Sequence, residues 1–372
     1  MTSSRKLVTE DGQVYSGCGF GAALPDGVSA PFELVFNTSS VGYQEILTDP
    51  SYADQGVVFS YPLIGNYGWN GDDAESSGPA LSAVLVREVS AAPSNFRSQK
   101  TLADAAESYS IPGLAGIDTR RLVRSIRDLG SRRAILADAD IPLEACIRRI
   151  RETPVPHDAV SRVSVKEITA SPASGEERLT VAAVDCGMKE NMVRCLCRLG
   201  CRVIRVPWNT PAEVIASFAP DGVLFSNGPG DPADVPGVAE TARKLRGKFP
   251  IFGICLGHQI LALSAGAKTY KMKFGHRGGN HPVKDLATGR IEITSQNHSY
   301  AVDRDSVAGC GMTVTRVNLL DGTVEGLACP ADRMFSVQYH PESAPGPEDS
   351  GALFDEFIRM TEAFHAEKNG HT

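Results

Sequence analysis

From residue 179 onward, the sequence alternates short apolar runs with amphipathic segments of helical period. The runs are typical of buried strands, and they read "LTVAAVD" (179–185), "CRVIRVP" (201–207), "DGVLFS" (221–226) and "PIFGI" (250–254). Strands that alternate with helices form a parallel sheet covered on both faces, with reactive groups at the carboxyl ends of the strands. The sequence therefore predicts an α/β fold with a doubly wound, mostly parallel sheet in its C-terminal part.

The N-terminal part lacks this alternation and predicts a separate, mixed α/β domain. Short strand-like runs such as "ELVFNTS" accompany one clear helical segment, "DTRRLVRSIRDLG". Between the two parts, "KEITASPASGEERL" is rich in Ser, Ala, Gly, Pro and charge, which is typical of a linker. A chain of 372 residues is also long for one core. We therefore expect an N-terminal domain at 1–165, a linker at 166–178 and a C-terminal domain at 179–372.

Composition excludes several classes of protein. The formal charge of −7, with no long basic block, argues against nucleic acid as the main partner. No apolar stretch is long enough to span a membrane and the N-terminus has no apolar signal-peptide core, so we expect a cytoplasmic protein without a membrane partner. The nine scattered cysteines indicate reduced thiols. The cluster "CLCRLGC" has no second Cys/His pair at zinc spacing, so no metal is expected.

Cys255, in the stretch "FGICLGHQI", lies where an apolar strand ends and a helical segment begins. Gly253 and Gly257 flank it, which gives the cysteine counterpart of the nucleophile elbow. The glycines allow a tight turn, and a helix N-terminus favours the thiolate. A buried core cysteine is the alternative, but glycines on both sides at a strand end favour a nucleophile.

A cysteine nucleophile needs a base and a group that orients the base, and "SVQYHPES" offers both. His340 ends a strand, and Glu342 lies two residues on, where an extended chain points both side chains the same way. Cys255, His340 and Glu342 are therefore a candidate catalytic triad. His258 is a rival base, but it lies on the helix after the elbow and is expected to pack or to hydrogen-bond. His298 is expected to be structural or to line the substrate site.

Acyl transfer through a thioester also needs an oxyanion hole. The amide of Leu256, just after the nucleophile, is one natural donor. The segment "SNGPGDP" at the end of another strand offers a second donor at Gly228, and Gly230 also lets backbone approach a ligand closely. The alternative is a simple turn, but two glycines, two prolines and an aspartate at the carboxyl end of a strand favour a site.

Together, "GICLGHQ", "SNGPGDP" and "QYHPE" resemble the motifs of a class I glutamine amidotransferase. The stretches "FNTSSVGYQEILTDPSY", "YPLIGNYG", "GIDTRRLVR" and "KFGHRGGNHPV" resemble the small subunit of carbamoyl phosphate synthase, and this likeness covers nearly the whole chain. The resemblance implies that glutamine is hydrolysed to glutamate and ammonia. It also implies that the partner is a large synthetase subunit, which makes carbamoyl phosphate from bicarbonate and ATP. We expect no cofactor on this chain, and ATP and Mg on that partner.

The resemblance assigns roles to individual positions. It implies Cys255 as nucleophile, His340 as base and later acid, and Glu342 as the residue that orients it. It also implies that glutamine is held by Ser51, Gly228, Gly230, Leu256, Gln259, Asn297, Ser299 and Tyr300. Relatives often carry glycine where this chain has Ser299, so a backbone that needs positive φ there would be strained. Gln259, one helical turn after Cys255, lies on the same face of the helix.

Several alternatives remain open from the sequence. A glutaminase of another amidotransferase is one, although the N-terminal half of such a protein would not contain "VGYQEILTDPSY". A regulatory subunit without catalysis is another, although all three triad residues are present. The stretch "KMKFGHRGGNHPVK" is either a solvated loop or a cover near the site. The arginines of "DTRRLVRSIRDLGSRR" form either a solvated helix face or a surface for the partner. The pathway that uses the product is also open: arginine biosynthesis and pyrimidine biosynthesis are expected, with a specialised pathway as the alternative.

Overall fold

The computed structural model describes residues 4–370 and divides into two compact units between Pro156 and His157. The boundary expected at 165 lies inside the second unit, and the linker expected at 166–178 contains a strand of that unit. Residues 159–163 form a helix of the second unit, and residues 169–171 form an edge strand of its sheet. Within the described residues, no helix is long and apolar enough to cross a membrane.

The first unit is built on a closed barrel of seven strands in the order β1-β2-β8-β6-β4-β3-β9, beside a two-stranded pair, β5-β7. The neighbours from β3 through β4 and β6 to β8 are parallel, and the other barrel pairs are antiparallel. Closure leaves the barrel without an open edge. The strands are β1 (Ser4–Thr9), β2 (Val14–Gly21), β3 (Phe32–Asn37), β4 (Gln55–Phe59), β5 (Leu63–Ile64), β6 (Ala83–Leu85), β7 (Glu88–Val89), β8 (Pro112–Ala115) and β9 (Arg132–Asp138).

Among the described residues of the first unit, four α-helices accompany the barrel: α1 (Tyr43–Thr48), α2 (Leu102–Ser108), α3 (Thr119–Leu129) and α4 (Leu143–Glu152). The arginine-rich segment forms α3, as its pattern predicts. The Asp118 carboxylate caps its N-terminus by accepting from the amide of Arg121 at 2.9 Å. Gly130, at φ 97°, ends it. Leu122 and Ile126 are buried while the arginines lie mostly outside, so α3 packs through one apolar stripe.

The second unit contains one ten-stranded sheet in the order β10-β12-β11-β13-β14-β19-β18-β17-β15-β16. The run from β12 to β19 is parallel, and both the edge strand β10 and the run from β18 to β16 are antiparallel. The strands are β10 (Thr169–Ser171), β11 (Leu179–Asp185), β12 (Cys201–Pro207), β13 (Gly222–Phe225), β14 (Ile251–Ile254), β15 (Thr269–Asp285), β16 (Ile291–Val302), β17 (Thr313–Asn318), β18 (Val324–Cys329) and β19 (Met334–Val337).

Helices cover both faces of this sheet, which confirms the doubly wound α/β prediction. They are α5 (Ala159–Val163), α6 (Glu190–Arg198), α7 (Ala212–Ser217), α8 (Pro236–Leu245), α9 (Leu256–Ser264) and α10 (Ala352–Gly370). Alternate residues of the central strands point to opposite faces. Val223 and Phe225 pack with α7, α8 and α9, whereas Leu224 packs with α6 and α10. The stretch expected as a loop or cover, "KMKFGHRGGNHPVK", lies within the long strand β15, which pairs with β16.

Candidate active site

Cys255 occupies the corner between β14 and α9 with φ 55° and ψ −103°. A residue with a side chain in such a conformation costs about 1–3 kcal/mol, and persists only where its surroundings hold it. Two backbone hydrogen bonds hold this one. The amide of Cys255 donates to the carbonyl of Val337 at 2.9 Å, and the amide of Gly257 donates to that of Ser226 at 2.9 Å. The corner predicted from the sequence is therefore present, and it is tied to both neighbouring strands.

Close steric contacts explain the glycines around this corner. A Cβ on Gly257 would lie 2.1 Å from the carbonyl oxygen of Phe225, and one on Gly253 would lie 2.7 Å from Leu261 Cδ1. A Cβ on Gly228 would lie 2.2 Å from the carbonyl oxygen of Cys186. Each position needs glycine because a neighbouring group passes too close for any side chain. The glycine pattern in the sequence thus reports the close packing of the elbow.

His340 and Glu342 meet as the i, i+2 spacing predicts. The Nδ1 atom of His340 lies 2.6 Å from Glu342 Oε1, and both side chains are buried. The amide of His340 donates to the carbonyl of Ser295 at 2.9 Å, which fixes the segment after β19. The Nε2 atom is buried beside the Cys255 thiol without a well-directed hydrogen bond to any described residue. A nucleophile and its base commonly tighten their contact only when substrate binds.

The electrostatics of this pair favour an ion pair. Burial alone lowers the pKa of His340, but the negative charges of Glu342 and of a Cys255 thiolate outweigh it and raise that pKa to about 10. Burial alone raises the pKa of Glu342, but the charges of Lys189 and His340 hold it well below its ordinary value. The site therefore favours an imidazolium beside a carboxylate, which is the state that stabilises a thiolate.

Lys189 is a site residue that sequence reasoning missed. Its Nζ atom lies 2.7 Å from Glu342 Oε1, so a single carboxylate oxygen receives both Lys189 and His340. Lys189 follows β11 in "DCGMKEN", and its amide donates to Asn227 Oδ1 at 3.1 Å. Its position at the carboxyl edge of a parallel strand was a usable signal, because that edge also holds Cys255.

The candidate oxyanion donors lie on two adjoining segments. Leu256 is the first residue of α9, so its amide has no acceptor within the helix. Gly228 follows β13, and the Cβ that it lacks would lie 2.8 Å from Leu256 Cδ2. Gly230 has φ 87° and open space where its Cβ would be. The structure thus brings Gly228 against Leu256, the residue that follows Cys255.

Three of the expected glutamine-binding positions lie on β16, next to the elbow. The Cys255 Sγ atom lies 3.6 Å from the carbonyl oxygen of Asn297. The side-chain amide of Gln259 donates to the carbonyl of Tyr300 at 2.8 Å and to Gln338 Oε1 at 3.0 Å. The NH2 group of Gln259 is therefore engaged by protein atoms, and only its carbonyl oxygen remains to face a ligand.

Ser299 shows no strain at the position where relatives often have glycine. Its φ is not positive, and its Oγ accepts a hydrogen bond of 2.5 Å from Nη2 of the buried Arg277.

Ser51 lies in the first unit, on a 3-10 turn at Pro50–Tyr52, where its amide donates to Asp49 Oδ1 at 2.9 Å. His258 is fully buried, with Nδ1 2.9 Å from Ser336 Oγ, and burial lowers its pKa to about 3.

One group of side chains has the chemistry of a metal site. Ligand atoms of His276, His298 and Glu325 lie within 4.8 Å of one another, and all three residues are buried. Each is already engaged by the protein. His276 contacts Asp321 at 2.9 Å, His298 contacts the Tyr300 carbonyl at 2.7 Å, and Glu325 accepts from other side chains. The three side chains are therefore held by contacts within the protein.

The chain is similar to known proteins along nearly its whole length. A family model described as Carbamoyl-phosphate synthase small chain, CPSase domain, matches residues 7–136, and one described as Glutamine amidotransferase class-I matches residues 182–360. The carbamoyl phosphate synthase small chain of Staphylococcus epidermidis (strain ATCC 35984) is 51% identical over 98% of both chains. The chain belongs to the carbamoyl phosphate synthase small chain family. This confirms the resemblance and the class of enzyme predicted from the sequence.

Other members of the small chain family are similarly close. The carbamoyl phosphate synthase pyrimidine-specific small chain of Halalkalibacterium halodurans is 49% identical over 96% of this chain and 97% of its own length. A solved structure of a putative GMP synthase protein from Thermoplasma acidophilum matches 52% of this chain and all of its own, with 20% identity and a TM-score of 0.45.

Proposed function

We propose that the second unit hydrolyses glutamine to glutamate and ammonia through a thioester on Cys255. The observation that carries this proposal is the buried array in which Glu342 holds His340 beside the nucleophile. Lys189 supports the array, because its charge keeps Glu342 ionised. The class I glutamine amidotransferase match over residues 182–360 supports glutamine as the substrate.

The array suits both halves of the reaction. The Cys255 thiolate attacks the carboxamide carbon to form the C–S bond, and the oxyanion is stabilised by the amides of Leu256 and Gly228. The C–N bond then breaks as His340 gives its proton to the leaving nitrogen, which departs as ammonia. Water next attacks the thioester carbonyl and gives a proton to His340. The C–S bond breaks, the thiolate returns, and the new γ-carboxyl group of glutamate loses its proton to water.

The ammonia passes to a large synthetase subunit, which binds ATP and Mg²⁺ and makes carbamoyl phosphate from bicarbonate. Support comes from family membership and from the first unit, which matches the family's own domain and contributes none of the triad residues. This match favours the synthase over the glutaminase of another amidotransferase. The intact triad disfavours a purely regulatory subunit. One relative is named pyrimidine-specific, which supports pyrimidine biosynthesis beside arginine biosynthesis as the use of the product.

The decisive experiment replaces the nucleophile in the reconstituted two-subunit complex. Cys255→Ala removes glutamine-dependent carbamoyl phosphate synthesis, while synthesis from added ammonium salt survives because the large subunit performs that chemistry. Substantial use of glutamine by the variant would overturn the thioester. A second measurement compares glutamine hydrolysis by the chain alone and with its large subunit. We expect acceleration by the partner, which selects the conformer whose oxyanion donors are aimed. Equal rates would favour a free-standing amidase.

A further inference from the structure

A chain of buried hydrogen bonds runs from β16 to β18 beside the glutamine-binding segment. The two ring nitrogens of His298 lie 2.7 Å from the Tyr300 carbonyl and 2.7 Å from Gln296 Oε1. The amide nitrogen of Gln296 donates to Glu325 Oε2 at 3.0 Å. These three consecutive contacts join a backbone carbonyl to a carboxylate, and the side chains of His298, Gln296 and Glu325 are buried.

Each of the three contacts needs one proton between its two heavy atoms. A neutral His298, the Gln296 amide and an ionised Glu325 together supply only two. A neutral histidine supplies one N–H, and the glutamine amide can donate on only one of its two sides. An ionised Glu325 supplies none. One contact would therefore place two acceptors 2.7–3.0 Å apart, whichever way the Gln296 amide is turned. The chain closes only if it holds one extra proton, on His298 or on Glu325.

The surroundings of this proton are charged. His276 lies between Asp321, at 2.9 Å, and Glu325, at 3.5 Å. Burial opposes a charge on His276, but its hydrogen bond to the Asp321 carboxylate favours one and raises its pKa. Burial and the charge of His276 hold the pKa of His298 well below its ordinary value, and Arg277 and His281 on β15 act in the same direction. The extra proton is therefore assigned to Glu325. Asn318 donates to the other oxygen of Glu325 at 3.1 Å.

The hydrogen-bond chain ends at an atom that matters to the site. The carbonyl of Tyr300 accepts from His298 and also from Gln259, on the helix that begins at the nucleophile. We propose that Glu325 is a positioning residue of the glutamine site, which binds the extra proton of the Gln296–His298 chain and thereby fixes the backbone of residues 297–300. This inference rests on the proposed hydrolysis of glutamine.

The test measures glutamine affinity by calorimetry on the full chain carrying Cys255→Ala, from about pH 7 to about pH 10. With native Glu325, affinity falls as the extra proton leaves, by up to about tenfold per pH unit. In Glu325→Gln the new amide brings its own N–H, so the chain closes without the extra proton. We expect this variant to bind at neutral pH and to lose that fall. The amino group of glutamine titrates equally in both proteins.

Two further variants separate positioning from general stability. Glu325→Met removes the carboxyl group and with it the contact to Gln296, and should weaken binding by about tenfold at every pH. Asp321→Asn removes a carboxylate from His276 but leaves the three contacts intact, and should keep the native pH profile. An Asp321→Asn profile like that of Glu325→Gln, or a Glu325→Gln profile like the native one, would overturn the inference. Absence of glutamine binding at every pH in the Cys255→Ala chain would instead count against the proposed function.

Discussion

The parallel and antiparallel parts of the second unit's sheet contribute differently to the site. The parallel strands place Cys255, Gly228, Lys189 and His340 just beyond their carboxyl ends. The antiparallel strands place residues 297–300 within a strand, supported by a buried polar network. In the parallel part, strand direction alone places the functional groups at one edge of the sheet. In the antiparallel part, their placement depends on particular side-chain partners. We therefore expect changes in the parallel part to lower kcat, and changes in the antiparallel part to raise KM for glutamine.

The largest effect is expected at His340. His340→Asn removes the proton donor and acceptor and should lower kcat for glutamine hydrolysis by about 100- to 10,000-fold. Glu342→Gln is the matched comparison, because it keeps the shape of the partner and loses only its charge. It should be less damaging, since Glu342 orients the ring and transfers no proton. Steady-state glutaminase assays decide the order, and a more damaging Glu342→Gln would contradict the roles assigned here.

Gly228→Ala is expected to come next. The alanine Cβ would lie 2.2 Å from the Cys186 carbonyl oxygen, so the loop must move. The amide of residue 228 would then no longer point at the oxyanion. One misdirected oxyanion donor costs about 100-fold in kcat. Gly230→Ala is the control, because its Cβ would meet no atom within 4 Å, although positive φ still strains it. Similar kcat values for the two variants would argue against an oxyanion role for Gly228.

Lys189→Met should lower kcat by about tenfold and change the pH profile. Without Lys189, the pKa of Glu342 rises, so the acid limb of the glutaminase profile moves to higher pH. The Glu342 carboxylate contributes stability above its ordinary pKa of 4.5 and loses it as pH falls through the lower folded value. The drop in Tm relative to wild type should therefore be largest at neutral pH and shrink in acid. A drop in Tm that is equal at every pH would show that Lys189 acts only by packing.

The smallest effect is expected at Ser299. Ser299→Ala removes the hydroxyl that accepts from Arg277, and a single hydrogen bond of this kind changes KM for glutamine by about threefold. The value of kcat should stay unchanged. Ser299→Gly tests the same contact with added backbone freedom and should raise KM slightly more. A fall in kcat with unchanged KM in either variant would break the contrast between the two parts of the sheet.

The sequence allowed the parallel part to be predicted almost completely. Its strands are continuous apolar runs and its corners carry glycines, so the order of elements and the elbow at Cys255 followed from general rules. The approach of His340 to Cys255 did not follow, because the sequence does not give the order of strands in the sheet. The i, i+2 spacing also predicted the contact of His340 with Glu342. Lys189 escaped because a lysine beside a helix start looks like a solvated residue. Only the fold shows that it is buried against a carboxylate.

The antiparallel part was harder to predict. The stretch "KMKFGHRGGNHPVK" is basic and rich in glycine, which is typical of a loop, yet it lies in β15 with Arg277 and His276 buried. Pairing with β16 and the carboxylate of Asp321 make that burial tolerable, and neither is visible in local composition. The seven-stranded closed barrel of the first unit could not be predicted either, because the sequence of short strands does not indicate which strands pair.

The left-handed backbone at Cys255 sets a limit on how this protein can be improved. Glycine adopts that conformation freely, so Cys255→Gly gains about 1–3 kcal/mol of relieved strain. This gain offsets part of what is lost with the buried thiol and with the greater freedom of glycine in the unfolded chain. Mutations that stabilise this protein and keep its activity must therefore act elsewhere in the molecule, because the strained residue of the elbow is the one that the proposed reaction requires.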